Sequence, residues 1–410
     1  MEPNKMEIVK QFRRQYQSVR IGLVIILSLS LISCHKQTPE PLPIQQPAKN
    51  QQLIDFGEPN LALLANKLHN SGHNQLHFVQ IGDSHTAADF FTGKLRSLLQ
   101  QRFGDAGIGF VNPINVPGQR NAIISMTGDK QQWKFTTSRK DNRPDFPLGG
   151  VIAEPDSQIS QLILRLFTPS HDRYQLKTLY QASGDTQILV QSATKRILKL
   201  PATHGHWQFS TEESVTFPVN IMAIQNNQLK LGGWFIKRKQ PGIMLSALGI
   251  NGATINMMDK WQPEWIDTLV QMHPDMVILA YGTNEAFNYS LDLPSYRQQL
   301  ETKIKQIRHQ LPQAVILIIG PGDSLKNNQL TSCTAPQPTM LDNIIHIQQK
   351  VAQDQHTLFW NWREYMGGKC SIRRWARQDL ARPDYVHLSA AGYERSAEAL
   401  YQQLINILDQ

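Results

Sequence analysis

Phe78-Val79-Gln80-Ile81-Gly82-Asp83-Ser84-His85-Thr86 decides how the rest of the chain is read. The apolar run Leu76 to Ile81 predicts a buried strand, and Gly82 predicts the sharp bend that ends it. Ala87, Phe90, Phe91, Leu95, Leu98 and Leu99 recur at three- and four-residue spacing and predict a helix beyond the bend. Ser84 is thereby delivered between a strand and a helix N-terminus, where backbone N–H groups point outward and negative charge is welcome. A hydrolase nucleophile suits that place. So does a plain helix cap made by Asp83 and Ser84, and partners elsewhere in the chain must decide between them.

Outward from this stretch, strand and helix patterns alternate. Buried strands are expected at Ile243 to Ile250, Asp275 to Tyr281, Ala314 to Gly320 and Thr357 to Trp360. Helices are expected at Tyr296 to Leu311, Leu341 to Gln353 and Leu388 to Leu408. Strands alternating with helices imply a parallel sheet covered on both faces. The texture changes between about Trp133 and Lys237. Short runs at Leu162 to Phe167, Tyr174 to Tyr180, Thr186 to Gln191, Arg196 to Leu200, Ser214 to Val219 and Leu229 to Lys237 are separated by turn-forming pieces. This is the pattern of an all-β sandwich, inserted into an α/β domain. The expected boundaries are 56–112 and 241–410 for the α/β part and 113–240 for the insert.

Loops at the carboxyl ends of parallel strands meet in one crevice. Three further stretches can reach Ser84, the first two at such places. The strand ending at Ile250 leads to Asn251-Gly252-Ala253-Thr254, and the strand ending at Tyr281 leads to Gly282-Thr283-Asn284-Glu285. The N–H groups of Ser84 and Gly252, with the Asn284 amide, offer three donors for a tetrahedral oxyanion. In isolation Gly252 reads as a turn glycine and Asn284 as a cap. Just before the last helix stands Arg382-Pro383-Asp384-Tyr385-Val386-His387. There Asp384 can hold one imidazole nitrogen of His387 while the other faces a serine as general base.

Gly82-Asp83-Ser84-His85, Gly252, Gly282-Thr283-Asn284 and Asp384-x-x-His387 occur in the order used by the SGNH (GDSL-type) hydrolases, which residues 76–112 and 243–408 resemble. The resemblance implies a flavodoxin-like α/β sheet, with Ser84, Asp384 and His387 as the triad and Ser84, Gly252 and Asn284 as the oxyanion hole. His85 departs from the Leu of many members. More narrowly, Gly82-Asp83-Ser84-His85-Thr86-Ala87 and the β-rich insert are similar to peptidoglycan O-acetylesterases of Gram-negative bacteria, whose insert resembles a carbohydrate-binding module. That likeness implies removal of acetyl from the C6 hydroxyl of N-acetylmuramic acid, opening the wall to lytic turnover. O-acetylated peptidoglycan is then the partner, and no metal or cofactor is needed. An acetyltransferase, a catalytically silent wall-binding lipoprotein, a lipase, and an esterase for another acetylated polysaccharide are the rival readings.

The chain has 410 residues, 40% hydrophobic and 18% charged, enough for a large core and more than one domain. Lys10, Arg13, Arg14 and Arg20 precede an apolar run from Ile21 to Ser33, the form of a signal peptide at 1–33. A start at Met6 would shorten its basic region. Leu31-Ile32-Ser33-Cys34 resembles a lipobox, implying lipidation of Cys34 and a periplasmic protein anchored to the outer membrane. An uncleaved anchor or an unrelated buried Cys34 is the alternative. Pro39, Pro41, Pro43 and Pro47 then predict an extended tether over 34–55. The net charge is +8, of which residues 1–33 carry five basic and two acidic side chains, leaving about +5 on the remainder. No basic run with interleaved aromatics points to nucleic acid.

Cys333 and Cys370 form either one disulfide or two buried thiols. His204-Gly205-His206 has no acidic neighbour in sequence and reads as a loop rather than a metal pair. Gly104 to Gly109 reads as a turn with no dinucleotide fingerprint. Trp133, Trp207 and Trp234 read as sandwich core before they read as sugar platforms. Asp83 is expected to order its turn without exchanging protons.

Overall fold

The computed structural model describes residues 52–224, 228–326 and 337–409. The signal peptide, Cys34 and Cys333 lie outside the described residues, while Cys370 is disulfide-bonded.

Six strands form the central sheet, in the spatial order Leu53–Asp55, Leu358–Trp360, Val315–Ile319, Met276–Ala280, Gln75–Gly82, Gly242–Gly249. The last five are parallel. Numbered along the chain they run 2-1-3-4-5, the flavodoxin-like order, with a switch point beside the strand that delivers Ser84. Leu53–Asp55, assigned from sequence to the tether, instead adds an antiparallel edge against Leu358–Trp360. Three residues between prolines and a helix carry too little periodicity to be seen as a strand.

These strands read as continuous apolar runs because both faces are covered. Phe78, Leu245, Ile278 and Leu317 face a cluster built with Leu95 and Leu99 of the helix Phe91–Phe103 and Leu400 and Leu404 of the helix Ala390–Leu408. Their neighbours Val79, Ile81, Val277 and Ile316 face Leu269, Leu300 and Ile344 on the other side.

Two antiparallel sheets make up the inserted sandwich. One orders Lys195–Leu200, Thr186–Gln191, Val219–Ala223, Ser160–Leu166 and Ile124–Gly128. The other centres on Tyr174–Gln181 and Lys230–Lys237. Thr186–Gln191 alternates buried and half-buried residues, as a strand with one core-facing side must. Trp133, Trp207 and Trp234 are all buried, and each indole N–H donates to a backbone carbonyl.

Two local expectations change. Gly107–Val111 is a strand rather than part of a turn, pairing with Lys230–Lys237, so the sandwich begins ahead of residue 113. Its glycines hide it, since Gly107 and Gly109 adopt positive φ and pack where a Cβ would meet Lys237 and Ser246. Ser214 to Val219 is not one strand but the junction of two, Glu213–Val215 and Val219–Ala223, which belong to different sheets. Pro218, unable to donate to a ladder, breaks the run.

Gly82 lies beside Gly249 on one neighbouring strand and Ala280 on the other, so three strands end level. A Cβ on Gly249 would stand 2.0 Å from the Ala87 amide nitrogen, which is how closely the Ser84–Ala87 helix rests on this strand. Gly249→Ala should therefore lower folding stability by about 1–3 kcal/mol. Gly72→Ala, where nothing lies within 4 Å, should stay within about 0.5 kcal/mol of wild type in the same urea titration.

Candidate active site

Ser84 opens a single helical turn, Ser84–Ala87, capped by Asp83, whose carboxylate accepts from the His85 amide at 2.9 Å. His387 and Asp384 come from the loop before the helix Ala390–Leu408, which begins at a Ser389 cap. The Ser84 Oγ is 3.0 Å from His387 Nε2, and His387 Nδ1 is 3.0 Å from an Asp384 oxygen. The other Asp384 oxygen accepts the amides of Val386 and His387, each at 2.9 Å. Partial burial raises the Asp384 carboxyl, but those amides and the imidazole hold it below the usual carboxylate range. A hydroxyl, an imidazole and a carboxylate thus stand in hydrogen-bonded line, the arrangement that makes a serine nucleophilic.

All three expected oxyanion donors border the same open cleft of about 650 Å³. Gly252 has φ +74, a conformation suited to glycine. The Asn284 amide donates one hydrogen to the Ala253 carbonyl at 2.8 Å, leaving its second for the cleft.

Several residues that hold these groups were not assigned from sequence. Glu285 is buried and accepts from the Ile255 amide at 2.8 Å and the Gly282 amide at 3.1 Å, joining the Gly252 and Asn284 loops. The signal was present, because Gly282-x-x-Glu285 has the spacing of a capping box. His85 is buried, with Nδ1 2.8 Å from the Tyr393 hydroxyl and its ring 5.4 Å from that of His387. The Tyr393 amide donates to the Ser389 carbonyl at 3.0 Å, in the first turn of the helix that follows the His387 loop. Tyr393 therefore ties the neighbour of Ser84 to the start of the helix that follows His387. No sequence signal joins positions so distant.

Burial dominates the buried ionisable groups. It pushes the carboxyls of Asp83 and Glu285 up to about 7, and their mutual repulsion adds to this for Glu285. Asp83 orders its turn as expected. Burial, helped by the His387 ring, pulls His85 down to about 3. His204 and Gly205 form a turn, as expected, and His206 Nδ1 stands 3.8 Å from Glu264. Among the described residues no three metal-ligating side chains cluster.

The model of the family described as "Peptidoglycan O-acetylesterase, N-terminal" matches residues 106–220, and that of the "GDSL-like Lipase/Acylhydrolase family" matches 231–395. A solved structure titled "Peptidoglycan O-acetylesterase in action, 5 min" is 36% identical, with a TM-score of 0.80 over 87% of this chain and 99% of that one. This chain belongs to the peptidoglycan O-acetylesterase family. A lipase/acylhydrolase from Enterococcus faecalis matches at 17% identity and a TM-score of 0.33, over 40% of this chain and 77% of its own. An acetyl xylan esterase, AlAXEase, matches at 17% and 0.31, over 39% and 79%. No curated protein sequence matches. In this chain the first family match spans much of the inserted sandwich and the second most of the hydrolase body beyond it.

Two predictions come from this geometry. Tyr393→Phe keeps the ring and removes the hydroxyl that holds His85 beside Ser84, so kcat for a small acetate ester should fall about 10-fold with little change in KM. A steady-state comparison in which KM alone moves would contradict it. Asp83 has a raised pKa, so its favourable protonated form is fully populated below pH 4 and lost as pH rises through 7. Asp83→Asn should then gain stability relative to wild type between pH 5 and 8, read by urea denaturation at both pH values.

Proposed function

We propose that this protein is a serine esterase that removes O-acetyl groups from peptidoglycan, at the C6 hydroxyl of N-acetylmuramic acid. The observation that carries the reading is the Ser84–His387–Asp384 line opening onto a cleft bordered by Gly252 and Asn284. The 36% identity to a peptidoglycan O-acetylesterase supports the substrate class.

His387 Nε2 takes the Ser84 proton as Oγ bonds to the acetyl carbonyl carbon. The carbonyl electrons move onto oxygen, and the N–H groups of Ser84 and Gly252 with the Asn284 amide stabilise the resulting anion. Asp384 orients His387 and stabilises its imidazolium. Collapse breaks the bond to the sugar oxygen, which leaves with the proton held on His387. Water, deprotonated by His387, then attacks the acetyl-enzyme and releases acetate and free Ser84. Freed C6 hydroxyls would make the wall available for lytic turnover.

The same reading places the enzyme in the periplasm, with Cys34 lipidated at the outer membrane. The basic and apolar segments before Leu31-Ile32-Ser33-Cys34 and the proline-rich run behind it support that location.

Incubating the chain from residue 52 onward with O-acetylated peptidoglycan should release acetate without any added sugar acceptor. Ser84→Ala should abolish release, and Asn284→Ala should lower kcat by roughly 10²–10³. Acetate appearing only when an acceptor sugar is supplied, or undiminished release by the Ser84 variant, would refute the assignment.

A further inference from the structure

We propose that Arg139, from the inserted sandwich, and Arg382, from the loop of the catalytic base, form an anion-recognition pair that selects acetylated glycan still carrying acidic peptide stems. The proposal rests on the esterase reading and adds the feature of the polymer that the cleft senses.

Both guanidinium-bearing residues line the cleft that holds Ser84, and no carboxylate joins them in that lining. Both are exposed, and among the described residues neither guanidinium has a hydrogen bond or ion pair. Unspent guanidinium donors at the mouth of a catalytic cleft suit a planar carboxylate, which accepts two parallel N–H bonds from one arginine.

Arg139 is not on a loose loop. Its turn follows the strand Trp133–Thr137, and the Ser138 amide donates to the Gly150 carbonyl at 2.9 Å. From the hydrolase body, Lys260 Nζ donates to the carbonyls of Ser138 at 2.9 Å and Asp141 at 3.1 Å, clamping the turn on both sides of Arg139. The guanidinium is thereby laid over Gly252, with Nε 3.4 Å from where a Cβ on that glycine would stand. Arg382 belongs to the turn that presents His387, its amide donating to the His387 carbonyl at 2.8 Å. One cation is registered to the oxyanion loop and the other to the base.

The acetyl ester itself is uncharged, so neither arginine is needed to bind the reacting group in its ground state. Peptide stems on the muramic sugars supply carboxylates along the same polymer. The insert then serves specificity by lending one arginine to the catalytic cleft, not by an aromatic platform, since its Trp133, Trp207 and Trp234 are buried.

The test compares wild type with Arg139→Ala, Arg139→Lys and Arg382→Ala on two O-acetylated glycans, one with intact stems and one stripped by an amidase. 4-Nitrophenyl acetate serves as a third, neutral substrate. The readout is the ratio of kcat/KM on stem-bearing to stripped glycan. In wild type this ratio exceeds one and falls with added salt. In each alanine variant it should drop about 10-fold, the equivalent of one charge-assisted contact, and lose its salt dependence. Arg139→Lys should recover only part of it, because an ammonium lacks the guanidinium fork. A ratio unchanged by the substitutions, or equal losses on all three substrates, would overturn the anion pair while leaving the esterase intact. Wild type that cleaves 4-nitrophenyl acetate yet releases nothing from either glycan would overturn the esterase reading and this inference together.

Discussion

Two backbones can approach to van der Waals contact only where a side chain is missing, and the active site depends on such an approach. Gly82 and Gly249 lie side by side at the ends of adjacent parallel strands, and the Ser84–Ala87 turn sits directly on them. A Cβ on Gly82 would meet Thr86 Oγ1 at 2.4 Å and the Ala280 carbonyl at 2.5 Å. The level ends of three strands bring the Ser84, Gly252 and Asn284 loops to one point. Everything else at the site fixes angles and distances within that frame. Glu285 joins two of the loops, and Tyr393 joins Ser84's neighbour to the helix that follows the base.

Residues with a fixed spacing to a strand end were readable in the sequence. Ser84, Gly252 and Asn284 each follow an apolar run by a few positions, and Asp384 and His387 lie within one turn of each other. The α/β alternation and most sandwich strands were equally plain, because burial on two faces or one leaves different periodicities. What escaped was set by tertiary context. Gly107–Val111 is a strand only because its glycines let it pass close to Ser246 and Lys237. His85, Tyr393 and Arg139 acquire their roles from neighbours hundreds of positions away or from another domain, and no local pattern marks them.

Burial shifts four ionisable groups of the hydrolase body. His77 is lowered to about 4, by burial above all, and His85 to about 3. Each contributes stability that is present above pH 6.5 and lost as pH falls towards its folded value. Asp83 and Glu285, raised to about 7, contribute in the opposite sense, losing stability as pH rises. Across the mildly acidic range the four slopes oppose one another, two against two.

The sandwich and the hydrolase body share one apolar interior. Phe110, Leu179, Trp207 and Phe235 from the insert belong to the same cluster as Val79, Met244 and Leu248 of the central sheet. An insert connected only by its two chain crossings could be excised and leave a sound enzyme behind. Here, excision would strip an oily wall from the sheet that carries Ser84, so the two lobes should melt together on heating.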